Sequence, residues 1–408
     1  MLGFFTANNY IFLAAFGLGA FLAMGLGNGA TFFALLGLLL QLCNEREKLK
    51  ARFLELWQNE CFKAYLVGVG AFFAATFLAS LFSENIVHSL MHWVNNWPWR
   101  FLMFLLPVLT IKQTEQAKKV LYAVFGGMFL ACVYMMYQNY CLGEFRPNGF
   151  YGHWMMNAGL ICEVLPIVFV LFWYKQLKVL PRWLVLVLAL VYLGGLLANN
   201  TRGAWLACSI TLLLLIGLQI KKQPKLAAIL LVCCCCMGIG LASNAGVRQR
   251  VHSITNMTTD YSNKMRLAIW KGAVDMYLDN PMLGVGEGQY KVKTIEKYHN
   301  PGMVEIFNHA HSVFLHVLCI SGTIGFLCLC LMFGNILYYS YKNYEHGDNP
   351  WYLSIFASTL CLLLQGVTEY NIGHSTIAKM YWLLLGTLFV LAHNFEKQER
   401  KQTGKVVK

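Results

Sequence analysis

The chain has 408 residues, of which 58% are hydrophobic and only 12% are charged, and its mean hydropathy is +0.52. This composition excludes an ordinary soluble globular domain and indicates an integral membrane protein. The formal net charge of +13 gives no support to nucleic-acid binding, because basic residues in the loops on one side of the bilayer account for most of it.

Apolar runs long enough to cross a bilayer recur along the whole chain. A bilayer core of roughly 30 Å needs about 20 mostly apolar helical residues, and the strict apolar-polar alternation of an outer-membrane barrel is missing. The sequence therefore predicts an all-α, polytopic integral membrane protein of about twelve transmembrane helices. We place them near residues 6–26, 28–43, 62–82, 98–111, 120–140, 154–174, 182–198, 203–220, 225–242, 312–338, 351–370 and 376–394.

The basic residues orient this bundle. If the N-terminus is cytoplasmic, nearly every loop that falls inside carries lysine or arginine, whereas the short outer loops have only Arg100, Arg146, Arg202 and Lys379. Positive charge is retained on the cytoplasmic side of a membrane. We expect nine helices within residues 1–242, a large periplasmic loop at 243–310, three helices within 311–394 and a basic cytoplasmic tail at 395–408.

The large loop is expected to be ordered, because it contains a helical pattern. Within MRLAIWKGAVDMYLDNPMLG, the apolar residues Leu267, Trp270, Val274, Tyr277 and Leu278 recur at helical spacing, and Asn280 and Pro281 then stop the helix. This pattern predicts an amphipathic helix over the outer mouth of the bundle. A cover packed on lipid headgroups is the simpler interpretation of its apolar face.

The fourteen cysteines do not predict a disulfide framework. Most lie inside predicted spans, where a thiol behaves as a small apolar side chain. The run CCCC at 233–236 turns its side chains around a full helical turn and cannot aim them at one metal ion. No cysteine chemistry is expected.

Arginines at membrane boundaries are candidate anion ligands. Arg202 lies in NNTRGAWLACS where the eighth span begins, so it joins the positive end of a helix dipole to a guanidinium that can bind phosphate through two hydrogen bonds. Arg266 opens the loop helix, and Arg146 occurs in GEFRPNGFYGHW. For each of them, snorkelling to lipid headgroups is the alternative.

Three histidines stand at the start of the tenth span, in FNHAHSVFLHVLCISGTIGF. His309 and His311 lack the i, i+4 spacing of two zinc ligands on one helix face, and no H-E-x-x-H motif is present, so no metal site is expected. A histidine near an interface is usually a structural hydrogen-bonding residue. However, His311 enters its span from the same side as Arg202, so a base and a phosphate ligand could share one cavity.

These motifs resemble those of the O-antigen ligase family, which shares its membrane fold with O-antigen polymerases and some bacterial protein O-glycosyltransferases. The resemblance is carried by HSVFLHVLCISGTIG after HAH, by the upstream TRGAW, by the loop helix from KMRLAIW, and by the large outer loop before the histidine. It implies an inner-membrane glycosyltransferase with its site facing the periplasm. The implied reaction moves a glycan from undecaprenyl pyrophosphate to a sugar hydroxyl of lipid A-core, with inversion and without a cofactor or metal ion.

The resemblance implies that His311, Arg202 and Arg266 are the catalytic residues. A neutral imidazole can remove the proton of the acceptor hydroxyl, while the arginines stabilise the charge that develops on the pyrophosphate. Arg146, His309, Ser312 and Glu369 are predicted to bind substrate. Ser312 stands where the family often has asparagine, and Glu369 is on the correct side to orient a histidine.

Two other activities are alternatives. A polymerase of repeat units, or a protein O-oligosaccharyltransferase, would need the same base and pyrophosphate site. A transporter is less favoured, because the sequence has no paired broken helices in corresponding halves and no convincing inverted repeat.

Overall fold

The computed structural model describes residues 8–174, 177, 179–232, 248–249, 251–253 and 260–403. The part of the chain so described contains helices and no strand. The helices are α1 (Asn9–Leu22), α2 (Met24–Asn44), α3 (Arg46–Trp57), α4 (Glu60–Leu81), α5 (Ile86–Asn96), α6 (Pro98–Thr110), α7 (Thr114–Tyr140), α8 (Trp154–Trp173), α9 (Arg182–Ala198), α10 (Arg202–Gln219), α11 (Tyr261–Asp279), α12 (Tyr290–Lys293), α13 (Val313–Gly347), α14 (Pro350–Gly366) and α15 (Ser375–Thr403).

Seven of these helices are long and apolar enough to cross a membrane, namely α2, α4, α7, α8, α10, α13 and α15. Three shorter apolar helices, α1, α9 and α14, join them. The chain is therefore a polytopic helical membrane protein. The predicted ninth span, at 225–242, is helical from 224 to 232, and the rest of it, with the cysteine run, lies outside the described residues. The count of about twelve spans stays a prediction.

Two helices form the centre of the bundle. In both α8 and α15, 89% of the most apolar stretch is buried inside the protein, so other helices rather than lipid surround them. α14 packs on α8, α10 and α13, and α15 packs on α6. This packing brings the N-terminal end of α10 and the turn between α14 and α15 close to the loop before α8.

α13 is broken near its start, and the large loop fills the break. Gly322 has φ +61° and ψ −164°, which is not helical, and a Cβ there would lie 2.3 Å from loop backbone. The N–H of Val285 donates to the carbonyl of Cys319 at 2.9 Å, and the N–H of Thr323 donates to the carbonyl of Pro281 at 2.8 Å. The loop thus satisfies backbone groups that an open helix would leave unpaired in the membrane.

The predicted loop helix is present as α11, and three of its large apolar residues do not pack on the protein. Leu267, Val274 and Leu278 are 45%, 41% and 64% exposed. The residues buried against the protein are instead Met265, Ile269, Gly272, Ala273 and Met276, and the helix packs on α13. Its end at Asp279, just before Asn280 and Pro281, is as predicted.

Candidate active site

His311 lies two residues before the first residue of α13, in a strained backbone conformation. Its φ is +47°, in the left-handed region that residues with a side chain rarely adopt. Such a conformation costs on the order of 1–3 kcal/mol and is common at functional sites. Ser312 follows as the N-cap residue of α13, and its side-chain oxygen accepts from the Leu315 N–H at 3.5 Å. The backbone conformation therefore indicates a functional role for His311 independently of any sequence motif.

A buried carboxylate faces His311. The Nδ1 atom of His311 is 3.3 Å from either carboxylate oxygen of Glu369, which lies in the turn between α14 and α15. If Nδ1 carries the proton, it donates to this carboxylate, and Nε2 is then the acceptor for a substrate proton. His311 and Glu369 thus have the arrangement of a general base and the carboxylate that orients it.

The neighbours of Glu369 keep it ionised. Burial raises the pKa of Glu369, but the hydrogen bond with His311 and the nearby positive charges, including Arg266, lower it below its ordinary value of 4.5. His309 packs beside His311 with ring centroids 4.4 Å apart, and its Nδ1 accepts from the His311 N–H at 3.2 Å. Burial lowers the pKa of His309 to about 4, so His309 is neutral at pH 7.

Arg266 reaches the same carboxylate from α11. Its Nη2 atom is 3.8 Å from Oε2 of Glu369. Burial lowers the pKa of Arg266, but a guanidinium stays protonated in proteins. Because the contact to Glu369 is long and involves one nitrogen, the other donors of Arg266 remain available to an anion.

Arg202, the first residue of α10, is held by the large loop. Its Nη1 donates to the backbone carbonyl of Ser253 at 2.5 Å and to the Ser253 hydroxyl at 2.8 Å. Its Nη2 donates to Asp260 at 3.0 Å and to Asn263 at 3.2 Å. Asp260 is also the N-cap residue of α11. Arg202, which the sequence predicts to bind phosphate, therefore connects the start of α10 to the start of α11.

Arg146 contributes a third guanidinium, from the loop between α7 and α8. It stacks over Trp154, 5.4 Å from the ring centroid, and its buried Nε has no hydrogen-bond partner among the described residues. Burial lowers the pKa of Arg146, and the charges of Arg202 and Arg266 lower it further. Of the three arginines, Arg146 has the fewest contacts with protein oxygens in the described part of the chain.

The asparagines of NNTRG hold the Arg146 loop against α10. Asn199 donates through Nδ2 to the carbonyl of Trp154, and Asn200 donates to the carbonyl of Phe145, both at 2.9 Å. The glycine of TRGAW allows another close approach, because a Cβ on Gly203 would lie 2.5 Å from the Thr368 hydroxyl. The polar turn expected from the sequence is thus a junction of three segments.

The three arginines and Glu369 line one small pocket. Its other lining residues are Trp154, Met155, Thr201, Gly203, Ser262, Gln365 and Thr368. Three positive charges face one negative charge, which favours an anion. The space open to the centre of a water-sized molecule is about 20 Å³, enough for about one water. A larger anion needs this pocket to widen.

One group of side chains beside the pocket could hold a metal ion. His309, His311 and Glu369 each offer one ligand atom, and these atoms all lie within 4.8 Å of one another. Two imidazoles and a carboxylate suit a zinc-like ion, although the histidine spacing in the sequence did not predict a metal site. The same contacts also serve a metal-free histidine–carboxylate pair.

The structure brings the predicted site residues into one neighbourhood. His309, His311 and Glu369 touch one another, Arg266 contacts Glu369, and Arg146 and Arg202 line the pocket. Ser312 is adjacent in the chain but is buried as a helix cap. The sequence interpretation missed Asp260, although an aspartate just before an apolar helical pattern is a recognisable N-cap signal.

Comparison with known families identifies this region. Residues 187–330 match the family model described as O-Antigen ligase. This match supports an O-antigen ligase family assignment for these residues. The matched region runs from α9 into α13 and includes Arg202, Arg266 and His311, whereas Arg146 and Glu369 lie outside it. No curated protein matches the chain significantly.

Members of the O-antigen ligase family are membrane glycosyltransferase-like enzymes. A membrane-embedded enzyme of this family acts on lipid-linked glycans in the bilayer. The chain is thus a multi-pass membrane protein that contains a region similar to this family.

Proposed function

We propose that this protein is an O-antigen ligase of the bacterial inner membrane. It transfers a glycan from undecaprenyl pyrophosphate to a sugar hydroxyl of lipid A-core, at a site that faces the periplasm. The observation that carries this proposal is the His311–Glu369 pair, with 3.3 Å between Nδ1 and the carboxylate, beside a pocket that holds three arginines.

The proposed reaction is a direct displacement at the anomeric carbon. Nε2 of His311 removes the proton of the acceptor hydroxyl as its oxygen attacks, and Glu369 stabilises the imidazolium that forms. Attack from the face opposite the pyrophosphate inverts the configuration of that carbon. No metal ion is needed, because fixed positive charge stabilises the leaving pyrophosphate.

Among the arginines, Arg146 and Arg266 have donors available for the pyrophosphate. Arg202 already donates to Ser253, Asp260 and Asn263, so it binds phosphate only by exchanging these partners. Its proposed contribution combines positive charge with positioning of α11.

The first experiment offers the purified protein, in nanodiscs and with a chelator, an undecaprenyl-pyrophosphate glycan with and without lipid A-core. Mass spectrometry of the products should show glycan on lipid A-core. Loss of transfer under chelator and its recovery with Mg²⁺, which thiol ligands do not favour, would contradict the metal-free mechanism. Lengthened glycan on the carrier without lipid A-core would identify a polymerase, and glycan on an added acceptor protein would identify an oligosaccharyltransferase.

The base is tested by His311→Ala, with His346→Ala as the matched control. His346 is an exposed histidine near the other end of α13. We expect His311→Ala to lose about 10²–10⁴-fold in transfer rate, the usual contribution of a general base, and His346→Ala to keep its rate. Unchanged transfer by a correctly inserted His311→Ala protein would reject the role of His311.

A further inference from the structure

Three cysteines from separate helices meet in the core of the bundle. Cys162 lies on α8, Cys208 on α10 and Cys361 on α14, and all three are buried. The Cys208 sulfur is 3.8 Å from that of Cys162 and 3.7 Å from that of Cys361. All three sulfurs lie within 4.8 Å of one another. Because 46 and 153 residues separate the contacting pairs, spacing in the sequence does not reveal this cluster.

The distances between the sulfurs fit one metal ion. A zinc–sulfur bond is about 2.3 Å long, so two sulfurs on a tetrahedral ion are about 3.8 Å apart and two on a trigonal ion about 4.0 Å. The two distances to the Cys208 sulfur therefore already match, and the third pair, within 4.8 Å, needs only a small shift. A disulfide needs its two sulfurs about 2.0 Å apart and would leave the third thiol unused.

Charge and chemistry restrict which ion this cluster can hold. Thiols are soft ligands that select zinc, copper(I) and similar ions over magnesium or calcium. Binding requires thiolates, so the incoming ion displaces protons, which leave to the solvent. A divalent ion with two thiolates and one neutral thiol has no net charge, and a neutral complex suits apolar surroundings in which an isolated charge is costly.

A second observation also points to a ligand at this place. Glu163 follows Cys162, its side chain is fully buried, and neither carboxyl oxygen has a hydrogen-bond partner among the described residues. A buried polar group without a partner is costly in a membrane protein and calls for a functional explanation.

We propose that Cys162, Cys208 and Cys361 bind one thiophilic divalent metal ion, which ties α8, α10 and α14 together. Cys208 is six residues beyond Arg202 on α10, a distance of about 9 Å along a helix. The ion would therefore stabilise the helices that carry the pocket without touching the reacting groups. This inference does not depend on which glycan acceptor the enzyme uses.

The test uses Cd²⁺ as the probe on the reduced, full-length protein in nanodiscs. After removal of free ion, three quantities are measured: bound cadmium per chain, thiolate-to-cadmium charge-transfer absorption, and the shift in Tm. The variants are Cys208→Ser and Cys361→Ser, with Cys132→Ser as the control because Cys132 is a buried cysteine of α7 outside the cluster. The remaining cysteines contribute equally to every protein.

We expect the parent protein and Cys132→Ser to retain one more cadmium ion per chain than Cys208→Ser. Their Tm should rise with Cd²⁺, because an ion that binds only the folded state stabilises it. Cys361→Ser should behave like Cys208→Ser. If Cys208→Ser does not fold, the comparison is made between Cys361→Ser and the parent protein. Equal cadmium content in the parent, the control and a folded cluster variant would overturn the proposal.

Discussion

Replacement of Glu287 should weaken both folding and glycan transfer, although Glu287 does not line the pocket. Its side chain is buried in the large loop. One carboxylate oxygen accepts from Asn96 Nδ2 at 2.6 Å, and the other accepts from Trp97 Nε1 at 3.0 Å. Asn96 accepts in turn from Nη2 of Arg100 at 2.6 Å. Glu287 thus ends a partly buried chain of hydrogen bonds between the loop and α5 and α6.

The other end of this chain reaches the turn that carries Glu369. Nη1 of Arg100 donates to the carbonyls of Ile372 at 3.0 Å and Gly373 at 2.9 Å. These residues follow Glu369 by three and four positions. A change at Glu287 that releases Arg100 should therefore displace the carboxylate that orients His311.

The cost of Glu287→Ala follows from the groups it leaves unpaired. The Trp97 donor is buried and the Asn96 donor partly buried. A fully buried donor costs about 1–3 kcal/mol without an acceptor, so the loss is at most about 6 kcal/mol. Burial raises the pKa of Glu287, which means that its charge is itself costly and offsets part of this loss. We expect about 3 kcal/mol, and about 1 kcal/mol for Glu287→Gln, which keeps an acceptor for Trp97.

Unfolding and transfer are measured on the same nanodisc samples. A displacement of Glu369 by about 1 Å should cost on the order of 10²-fold in transfer rate. The control is Glu84→Ala, since Glu84 is 76% exposed and pairs with Lys293, and surface pairs contribute about 0–1 kcal/mol. The reasoning fails if Glu287→Ala is no less stable than Glu84→Ala, or if its transfer rate falls only in proportion to the folded fraction.

Three further predictions concern the pocket and its neighbours. Burial lowers the pKa values of His309 and His374 to about 4, whereas the unfolded chain takes up these protons near pH 6.5. The free energy of unfolding should therefore fall as pH drops from 6.5 towards 4, by up to about 1.4 kcal/mol per pH unit for each histidine. Thermal unfolding of His309→Gln should show a weaker dependence of stability on pH, and an unchanged dependence would contradict this. Arg146→Ala should raise the KM for the lipid-linked donor by about 10-fold, the value of one charge-assisted contact, with a smaller rise for Arg146→Lys, and donor titration with an unaltered KM would exclude the contact. Gly203→Ala should destabilise the protein by about 1–3 kcal/mol through overpacking against Thr368. The double variant Gly203→Ala/Thr368→Ala should recover this stability in the same unfolding assay, and no recovery would show that Thr368 is not the source of the strain.

Several membrane helices could be predicted from the sequence to within one or two residues at both ends, whereas others extend beyond the predicted span. The predicted spans 154–174 and 203–220 correspond to α8, Trp154–Trp173, and α10, Arg202–Gln219. Such predictions succeed because the length of an apolar run is a local property that the bilayer thickness determines. The stop at Asn280 and Pro281 is likewise local, because proline cannot continue a helix.

The buried face of α11 could not be predicted in the same way. Large apolar residues such as Leu278 are exposed, and smaller or flexible ones such as Ala273 and Met276 are buried. Close packing between segments explains why the smaller residues are the buried ones, because a Cβ on Gly272 would lie 2.5 Å from the Tyr298 carbonyl. In a membrane protein, exposed apolar side chains can face lipid, so small residues indicate contact surfaces better than large ones do.

The residues of the candidate site share one feature that explains both what the sequence reveals and what it hides. His311 precedes α13, Arg202 begins α10, Glu369 follows α14 and Arg146 precedes α8. Arg266, in contrast, lies within α11, away from its ends. Charged groups and irregular backbone concentrate at helix ends because the bilayer interior tolerates neither. Reading the boundaries of apolar runs therefore finds these residues. Their pairing depends on which ends meet in space: Arg202 and Asp260 are 58 residues apart, as are His311 and Glu369, and helix packing alone brings each pair together.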